Sequence, residues 1–537
     1  MTVQATGYST TQAPAQTQAQ PPAQAQTQAP APPGSQDQAR ALSPSPPGQS
    51  RRPVLGRLNH APPPPKRRHR RPALGRLNRL DPVLRQAVRR LITLLLLLPL
   101  LLLLARSAPE LLRSPFLLGY GFLVLLGAIA IFYVAYAQYD DPAVRQLRRR
   151  PRNLSQFTPL PTLPRVSFLL AVKDEAECIE ACVRSMVASD YPDLQIVVVD
   201  DGSSDGTREI LASLATELAI TVLPLERNVG KKHALVRAAE LADGDVIAFT
   251  DSDCVLAEDA LTRCVTALLR HPELGAVSGH ARALNADESL LSRIQDVWYE
   301  GQFRVSKAAE SAFGSVTCVS GPLAVFRRDA VYNYLPAWAG DRFLGGEFRF
   351  ATDRQLTGYV LGQQWKGRRL KRRYADSPFV QEADYPELPW RVGYVESAKV
   401  WTNVPTRFRP FMRQQVRWKK SFVRNLFFTG TFIWRRGLGP AALYYLHALW
   451  VLAAPVMAVR HLVWVPLQGT YLLTLLYLAG VLVKGTFWGL AFRLDNPGST
   501  GWRYRPLMSL LSSVLLSWLL FYSAATIRRG VWSRSAT

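Results

Sequence analysis

Cysteine is scarce in this sequence. Five of the 537 residues are cysteines, and all lie between residues 178 and 318. Neither a C-x-x-C pair nor a His/Cys metal-ligand spacing is present, which argues against a cysteine-based metal site. Free thiols are typical of a reducing compartment. We therefore expect the segment that carries them to be cytosolic.

Acidic residues are too few to balance the basic ones, with 40 Asp and Glu against 65 Lys and Arg, and the formal charge is +25. Such a balance favours nucleic acid, anionic lipid or an anionic substrate as partner, but it does not indicate a fold. Much of the charge lies in the N-terminal tail and beside hydrophobic runs, where it indicates membrane topology. We therefore expect contact with membrane lipid and none with nucleic acid.

Residues 1–88 lack the apolar content of a folded domain. They are rich in Gln, Pro, Ala and Thr and then in Pro and Arg, which predicts a disordered tail. The tail contains a duplication, RRPVLGRLN at 51–59 and RRPALGRLN at 70–78. The repeat fits docking to a partner or to anionic lipid. A solvated basic tether is the simpler interpretation.

Two apolar runs in residues 89–139 predict an N-terminal transmembrane hairpin. Residues 115–137 are 23 uncharged residues, enough to span a membrane core of about 30 Å. The leucine-rich run 91–105 is shorter, and flanking arginines can snorkel to extend it. Arg-rich flanks on both sides predict that both ends of the hairpin are cytosolic.

Residues 438–527 contain further apolar runs at 440–458, about 467–491 and 506–526. Three crossings would place the arginines of the 528–537 tail outside the cell, against the usual charge bias. A fourth crossing, or a re-entrant piece near 459–468, would restore it. We expect a multi-pass protein of the cell membrane whose large domain is cytosolic, with the number of spans left open.

Between residues 160 and 400, strand-like runs alternate with helical stretches. VSFLLAV (166–172), LQIVVVD (194–200), ITVLPL (220–225) and DVIAFTDSD (245–253) have the apolar, β-branched character of buried strands. Alternation at this spacing predicts an α/β domain with a doubly wound, mainly parallel sheet. Ligands of such sheets bind at the carboxyl ends of the strands.

Paired acids follow two of these strands. Asp251 and Asp253 offer hard oxygen ligands suited to Mg²⁺ or Mn²⁺ with a substrate diphosphate, although acidic loops also simply solvate strand ends. Asp200 and Asp201 are placed to accept hydrogen bonds from a base or ribose, or to cap the helix that begins near Thr207.

Basic residues at two helical positions suggest diphosphate binding. GKKHA (230–234) places Lys231 and Lys232 at a helix start, which favours phosphate but also fits an ordinary exposed helix end. QQVRWKKSF (414–422), within a predicted interfacial segment 401–437, combines cations, amides and a tryptophan at the membrane border. It also fits an amphipathic interfacial helix. The amphipathic stretch 287–309 is interpreted as core packing only.

Six motifs in order, VDDGSSDGT, NVGKKHA, TDSD, CVSGPLAVFRR, ATDRQLT and QQVRWKKS, give the chain a family resemblance. They resemble the processive, membrane-embedded, inverting family-2 glycosyltransferases, and hyaluronan synthases most closely, over about 165–430 and the flanking spans. Cellulose, chitin and rhizobial chitin-oligosaccharide synthases share this core. Two details, Ser320–Leu323 and Lys420–Phe422, are similar to the hyaluronan type.

The resemblance implies a GT-A-type domain and a set of residue roles. The general base on the acceptor hydroxyl would be Asp353, and the metal ligand would be Asp253. Uridine would be held by Asp200 and Asp201, and the donor phosphates by Lys231. The remaining substrate-binding residues implied are Asp251, Ser320, Gly321, Arg354, Gln414, Arg417 and Trp418. Cations close to these motifs, Arg327, Arg328, Arg354 and Lys420, would help an acidic sugar arrive.

One departure from the family pattern concerns the base. Hyaluronan synthases usually read Gly-Asp-Asp-Arg where this chain has Ala351-Thr352-Asp353-Arg354, so the base keeps its arginine and loses its acidic neighbour. The expected activity is polymerisation of UDP-N-acetylglucosamine and UDP-glucuronate into a secreted β-linked polysaccharide. A chitin-type or glucan synthase, a lipid-carrier glycosyltransferase and a non-catalytic scaffold are the alternatives.

Overall fold

The computed structural model of the protein describes residues 126–529, apart from 152 and 351, together with Leu102 and Pro109. The predicted tail, most of the predicted N-terminal hairpin and residues 530–537 lie outside the described residues. The C-terminal part of that hairpin is the apolar helix Leu126–Gln138.

An eight-stranded sheet forms the centre of the domain. Its strands are β1 Val166–Val172, β2 Leu194–Asp200, β3 Thr221–Pro224, β4 Val246–Phe249, β5 Cys254–Leu256, β6 Leu274–Ala283, β7 Ala324–Arg327 and β10 Arg391–Thr402. The order is β3-β2-β1-β4-β7-β6-β10-β5, and only β7 and β5 pair antiparallel to their neighbours. Every residue of β1 is buried, as expected where helices cover both faces of a sheet. The prediction of a mainly parallel sheet is confirmed.

Helices and one small hairpin complete the domain. The helices are Ile179–Val187, Thr207–Glu217, Lys231–Glu240, Ala260–Arg270, Leu290–Glu300, Ala308–Ala312, Arg328–Val331, Leu335–Ala339, Thr352–Gly362, Arg368–Arg373 and Pro378–Gln381. A wider helical turn, Gly301–Lys307, joins the fifth and sixth of these into one rod. Strands β8 Arg342–Phe343 and β9 Gly346–Glu347 form the hairpin.

The register of the sheet brings the predicted acids to one edge. Strand β1 pairs in parallel with β2 on one side and β4 on the other, with Val172 opposite Asp200. The carboxyl ends of β2 and β4 therefore flank the end of β1. Both acidic pairs lie at this edge, where α/β sheets bind ligands.

The predicted interfacial segment folds as the helix Phe408–Leu426, called here the interface helix. It packs against the last apolar helix, Leu519–Ala525. The hydroxyl of Ser523 donates to the carbonyl of Val416 at 3.4 Å. Short turns at Thr429–Thr431 and Ile433–Arg436 lead from the interface helix to the first apolar helix.

Two C-terminal helices are long and apolar enough to cross a membrane, Leu438–Leu467 and Tyr471–Asp495. A third apolar stretch consists of Gly501–Leu516 and Leu519–Ala525, which bend by 47° and together would be long enough for a span. Residues 459–467 continue the first helix, and the chain reverses at Gly469, whose φ is 72°. A separate crossing or re-entrant piece near 459–468, one remedy for the charge bias, is therefore not formed.

A buried ion network joins the domain to the apolar helices. Arg304 lies 3.2 Å from Glu396 on β10 and 3.3 Å from Asp495 at the end of the second apolar helix. The hydroxyl of Tyr136, in the helix Leu126–Gln138, donates to Asp495 at 2.8 Å. The catalytic edge of the sheet is thus held at a fixed position above the apolar helices.

Candidate active site

A cavity of about 1910 Å³ begins at the carboxyl edge of the sheet and continues to the apolar helices. Asp251 and Lys231 line its domain end, and Asp353 lines its middle. Trp418 of the interface helix and Trp450 of the first apolar helix line its far end. One continuous space therefore connects the predicted donor site, the predicted base and the membrane segments.

At the donor end, Asp251 and Lys231 form an ion pair. Gly321 packs against the same carboxylate, since a Cβ at position 321 would lie 2.5 Å from Oδ2 of Asp251. Only glycine allows this approach. The structure therefore brings together Asp251, Lys231 and Gly321 as the resemblance implied.

The acids at the donor end fit a hard divalent cation. Ligand atoms of Asp251, Asp253 and Cys254 lie within 4.8 Å of one another. Burial raises the pKa of the Cys254 thiol well above its usual value, so this sulfur stays protonated and is a poor ligand. The two carboxylates remain, and their oxygens are the donors that Mg²⁺ and Mn²⁺ prefer.

The other acidic pair does not line the cavity. Asp200 accepts hydrogen bonds from the backbone N–H of Ser203 at 3.0 Å and from Arg208 Nε at 2.8 Å. Asp201 accepts from the backbone N–H groups of Val229 at 2.6 Å and Gly230 at 2.9 Å. The alternative that these acids cap the following helix is wrong, because its N-cap is Gly206 without a side-chain bond.

Asp201 instead positions the residue that follows its two amide partners. Val229 and Gly230 directly precede Lys231, and Gly230 has a φ of 92°. Burial raises the pKa of Asp201, and the two amide hydrogen bonds oppose the rise. Its role in holding uridine stays a prediction, while its hydrogen bonds give it a structural role beneath Lys231.

The second lysine of the GKKHA motif turns away from the cavity. The ammonium of Lys232 donates to the side chain of Gln355 at 2.6 Å and to the carbonyl of Phe348 at 2.8 Å. Burial lowers its pKa to about 8. Of the two cations at this helix start, only Lys231 faces the ligand space.

The predicted base lies at the start of the helix Thr352–Gly362. Asp353 accepts a hydrogen bond from the thiol of Cys318 at 3.3 Å and from the backbone N–H of Arg354 at 2.8 Å. Burial raises the pKa of Cys318 to about 12, so the thiol stays protonated and acts as the donor. Ser320, Gly321 and Arg354 line the same part of the cavity, as predicted.

The interface helix contributes the predicted Gln414, Arg417 and Trp418 to the cavity wall. The indole of Trp418 lies 5.4 Å from the ring of Trp298 and 6.2 Å from that of Tyr299. These three rings form an aromatic cluster at the boundary between the domain and the membrane segments. Flat faces of this kind suit sugar rings.

Three cations that were expected to attract an acidic sugar are placed otherwise. The ammonium of Lys420 donates to the carbonyls of Thr526 at 2.6 Å and Arg529 at 2.5 Å, which ties the interface helix to the end of the last apolar helix. Arg327 is buried in a paired contact with Asp329, and Arg328 donates to the carbonyl of Ala242. Neither Arg327 nor Arg328 is a cavity residue, because β7 directs them to the opposite end of the sheet.

The interpretation of residues 287–309 as core packing only is wrong. Trp298, Tyr299, Gln302, Ser306 and Lys307 from this rod all line the cavity. The same helix buries Ile294 and Val297 on its other side. Sequence reasoning registered the apolar face and gave no weight to the polar residues 302, 306 and 307 at helical spacing.

Charge is divided between the two walls of the cavity. All acidic side chains that line it within the described part of the chain come from residues 174–353. Among described residues 402–529, the wall contains cations and no acid: Arg409, Arg413, Arg417, Lys419, Lys420 and Arg529. The side nearer the apolar helices is therefore purely basic.

Comparison with known proteins places this site in a family. Residues 167–335 match the model of Glycosyl transferase family 2. The chain is 30% identical over 324 residues to an N-acetylglucosaminyltransferase of Rhizobium meliloti (strain 1021), covering 59% of this chain and 67% of the relative. The chain belongs to glycosyltransferase family 2. It is a glycosyltransferase of the hyaluronan- and chitin-synthase-like kind, built on a GT-A-type α/β domain.

Two other relatives support this family-2 assignment. An N-acetylglucosaminyltransferase of Azorhizobium caulinodans is 33% identical over 270 residues, which are 50% of this chain and 62% of that relative, so less than two thirds of its length is matched. A hyaluronan synthase of Streptococcus pyogenes is 27% identical over 369 residues, 67% of this chain and 80% of that protein. Among solved structures, the mannosyltransferase PcManGT from Pyrobaculum calidifontis superimposes with a TM-score of 0.42 at 20% identity, over 75% of this chain and 98% of that chain.

Proposed function

We propose that this family-2 glycosyltransferase is a processive, inverting polysaccharide synthase of the hyaluronan type. It extends a β-linked polymer from UDP-sugars on the cytosolic face of a multi-pass membrane protein. The polymer leaves through the protein's own apolar helices.

The continuous cavity carries this proposal. Its acidic and lysine-lined end suits a nucleotide diphosphate, and Asp353 lies between that end and the interface helix. A polysaccharide is too polar to cross lipid without protein around it. A synthase that secretes its product therefore needs an acceptor site opening toward membrane helices, and the far end of this cavity has that arrangement.

The proposed chemistry is one in-line displacement at the anomeric carbon of the donor sugar. Asp353 accepts the proton of the acceptor hydroxyl as its oxygen forms the new glycosidic bond and the bond to UDP breaks. Lys231 and Arg417 bind the diphosphate as negative charge grows on it. A Mg²⁺ or Mn²⁺ ion held by Asp251 and Asp253 would add further positive charge to the leaving group.

Two observations bear on the sugar. The basic wall of the cavity suits an anionic polymer that contains glucuronate, and the alignment with the hyaluronan synthase of Streptococcus pyogenes covers 80% of that protein. The N-acetylglucosaminyltransferases are more similar per residue, at 30–33% identity, which favours a chitin-type product as the second candidate.

Product analysis tests the proposal. Purified protein in lipid vesicles is incubated with UDP-N-acetylglucosamine, UDP-glucuronate, both together, or UDP-glucose. The expected result is long polymer only when the first two are supplied together, and its digestion by hyaluronidase. Polymer from UDP-N-acetylglucosamine alone would establish a chitin-type enzyme, and a single-sugar addition to a lipid carrier would refute processivity.

A further inference from the structure

The surroundings of Asp353 contain more positive charge than its own helix can balance. Lys307 and Arg354 both interact electrostatically with Asp353, and both are buried beside it. The residue before Asp353 is Thr352, which lines the cavity and has no charge. The related synthases have an acid at that position, so this chain lacks the carboxylate that would share the cationic field.

A second carboxylate reaches the same cluster from another element. Glu310 lies on the helix Ala308–Ala312, one helical turn after Lys307, and lines the cavity with Asp353. Its electrostatic interactions are with Lys307 and Arg354, the same two cations that act on Asp353. An acid on the neighbouring rod thus faces the charges that the missing acid would face.

Hydrogen bonds connect Glu310 to the loop that contacts the base. The carboxylate accepts from the backbone N–H of Thr317 at 3.1 Å and from its hydroxyl at 2.8 Å. The next residue, Cys318, donates its thiol to Asp353 and accepts a hydrogen bond from Lys307 at its carbonyl. Two donors on the Glu310 oxygens favour the ionised carboxylate, although burial raises its pKa.

We propose that Glu310 is a positioning residue that supplies, from a different helix, the acidic charge that Thr352 does not. It balances Lys307 and Arg354, so that Asp353 accepts the acceptor proton without both cations competing for it. This inference deepens the proposed function and depends on the role of Asp353 in it.

Other charged and titratable groups also face this cluster. Cys318 comes from the acceptor-side loop, and Tyr444 and His447 come from the first apolar helix, where both interact with Arg354. None of these three carries negative charge at neutral pH in the protonation state expected for its type. Among the described residues around Asp353, Glu310 is therefore the carboxylate available to offset the two cations.

The test exchanges the acid between the two positions. Glu310→Gln keeps the side-chain volume and removes the charge, and we expect it to lower the kcat for UDP release roughly tenfold, with the Kd for UDP unchanged. Adding Thr352→Asp to that variant should restore kcat to within about threefold of wild type, since the charge returns on the other side of the same cations. Thr352→Asn is the matched uncharged control and should restore nothing.

The outcomes separate charge from packing. A wild-type kcat in Glu310→Gln, or equal behaviour of the Asp and Asn double variants, would overturn the proposal. If Glu310→Gln alone does not accumulate, the double variants decide. Rescue of accumulation and turnover by Asp but not by Asn supports the proposal, and any other pattern refutes it. Failure of the polysaccharide proposal is a different result, a wild-type protein that makes no polymer, whereas UDP release from any accepted donor is enough to measure these ratios.

Discussion

The two acidic pairs at the carboxyl edge of the sheet look alike in sequence and differ in the folded protein. Both follow buried strands, and both flank the end of β1. Asp251 and Asp253 line the cavity, with Lys231 paired to the first of them. Asp200 and Asp201 are almost fully buried, and their oxygens accept hydrogen bonds from Arg208 and from backbone amides.

The difference comes from the loops that follow the strands. After β2, the chain folds back so that the segment 227–230 covers Asp201, and a Cβ at Gly202 would lie 2.9 Å from the Arg227 backbone. After β4, the acids stay beside Gly321, which leaves room for the Asp251 carboxylate at the cavity wall. A strand-end acid is therefore a ligand or a loop anchor according to what packs over it.

The largest expected effect concerns the acid in the middle of the cavity. Asp353→Asn should lower polymer synthesis about a thousandfold, because the amide cannot accept the acceptor proton. UDP binding should remain near wild type, since Asp353 acts on the acceptor and not on the nucleotide. Turnover is measured as UDP release, and binding by calorimetry. Substantial turnover in purified Asp353→Asn would remove Asp353 from the role of base.

The cavity-lining pair should be the next most sensitive. Asp253→Ala should lower kcat on the order of a hundredfold and abolish the response to added Mn²⁺ or Mg²⁺, because a ligand of the metal–diphosphate unit is lost. A titration of activity against each metal measures this response. An unchanged titration curve would show that Asp253, like Asp201, is an anchor.

A smaller effect is expected where the backbone meets Asp251. Gly321→Ala places a methyl group 2.5 Å from the Asp251 carboxylate, so the acid or its loop must shift. We expect kcat to fall roughly tenfold, since catalysis is sensitive to displacements below 1 Å. Gly346→Ala is the matched control, because a Cβ there meets nothing within 4 Å. Equal activities of the two variants would mean that Asp251 needs no fixed position.

Much of the fold could be predicted from sequence because periodicity reports burial directly. The apolar strands β1, β2 and β4 and their acidic ends follow from local pattern alone. The bend of the last apolar stretch could not, because it depends on packing against the interface helix. Likewise, Arg327 follows the SGP motif closely in sequence, but β7 runs antiparallel to β4 and carries Arg327 to the far end of the sheet.

The site was predicted where residues carry a motif and missed where they share a helix with the core. Asp251, Asp353 and Trp418 were found through such motifs. Trp298 and Lys307 were not, since an amphipathic helix gives the same apolar pattern whether its other face meets solvent or a ligand cavity. Only the three-dimensional path of the cavity separates these two cases.

The smallest effect on turnover, and the sharpest test of the comparison, is expected at Asp201. Asp201→Asn replaces one accepting oxygen by an N–H₂ group that faces a backbone N–H donor, at a cost of about 1–3 kcal/mol in the free energy of unfolding. Thermal unfolding in detergent and the yield of folded protein should both fall. The kcat of the remaining folded molecules should change by no more than a few-fold, through small shifts of Lys231. A variant with normal stability and a large increase in KM for the UDP-sugar would contradict the anchor role. That result would instead favour direct contact of Asp201 with the nucleotide, and the two acidic pairs would then share one function.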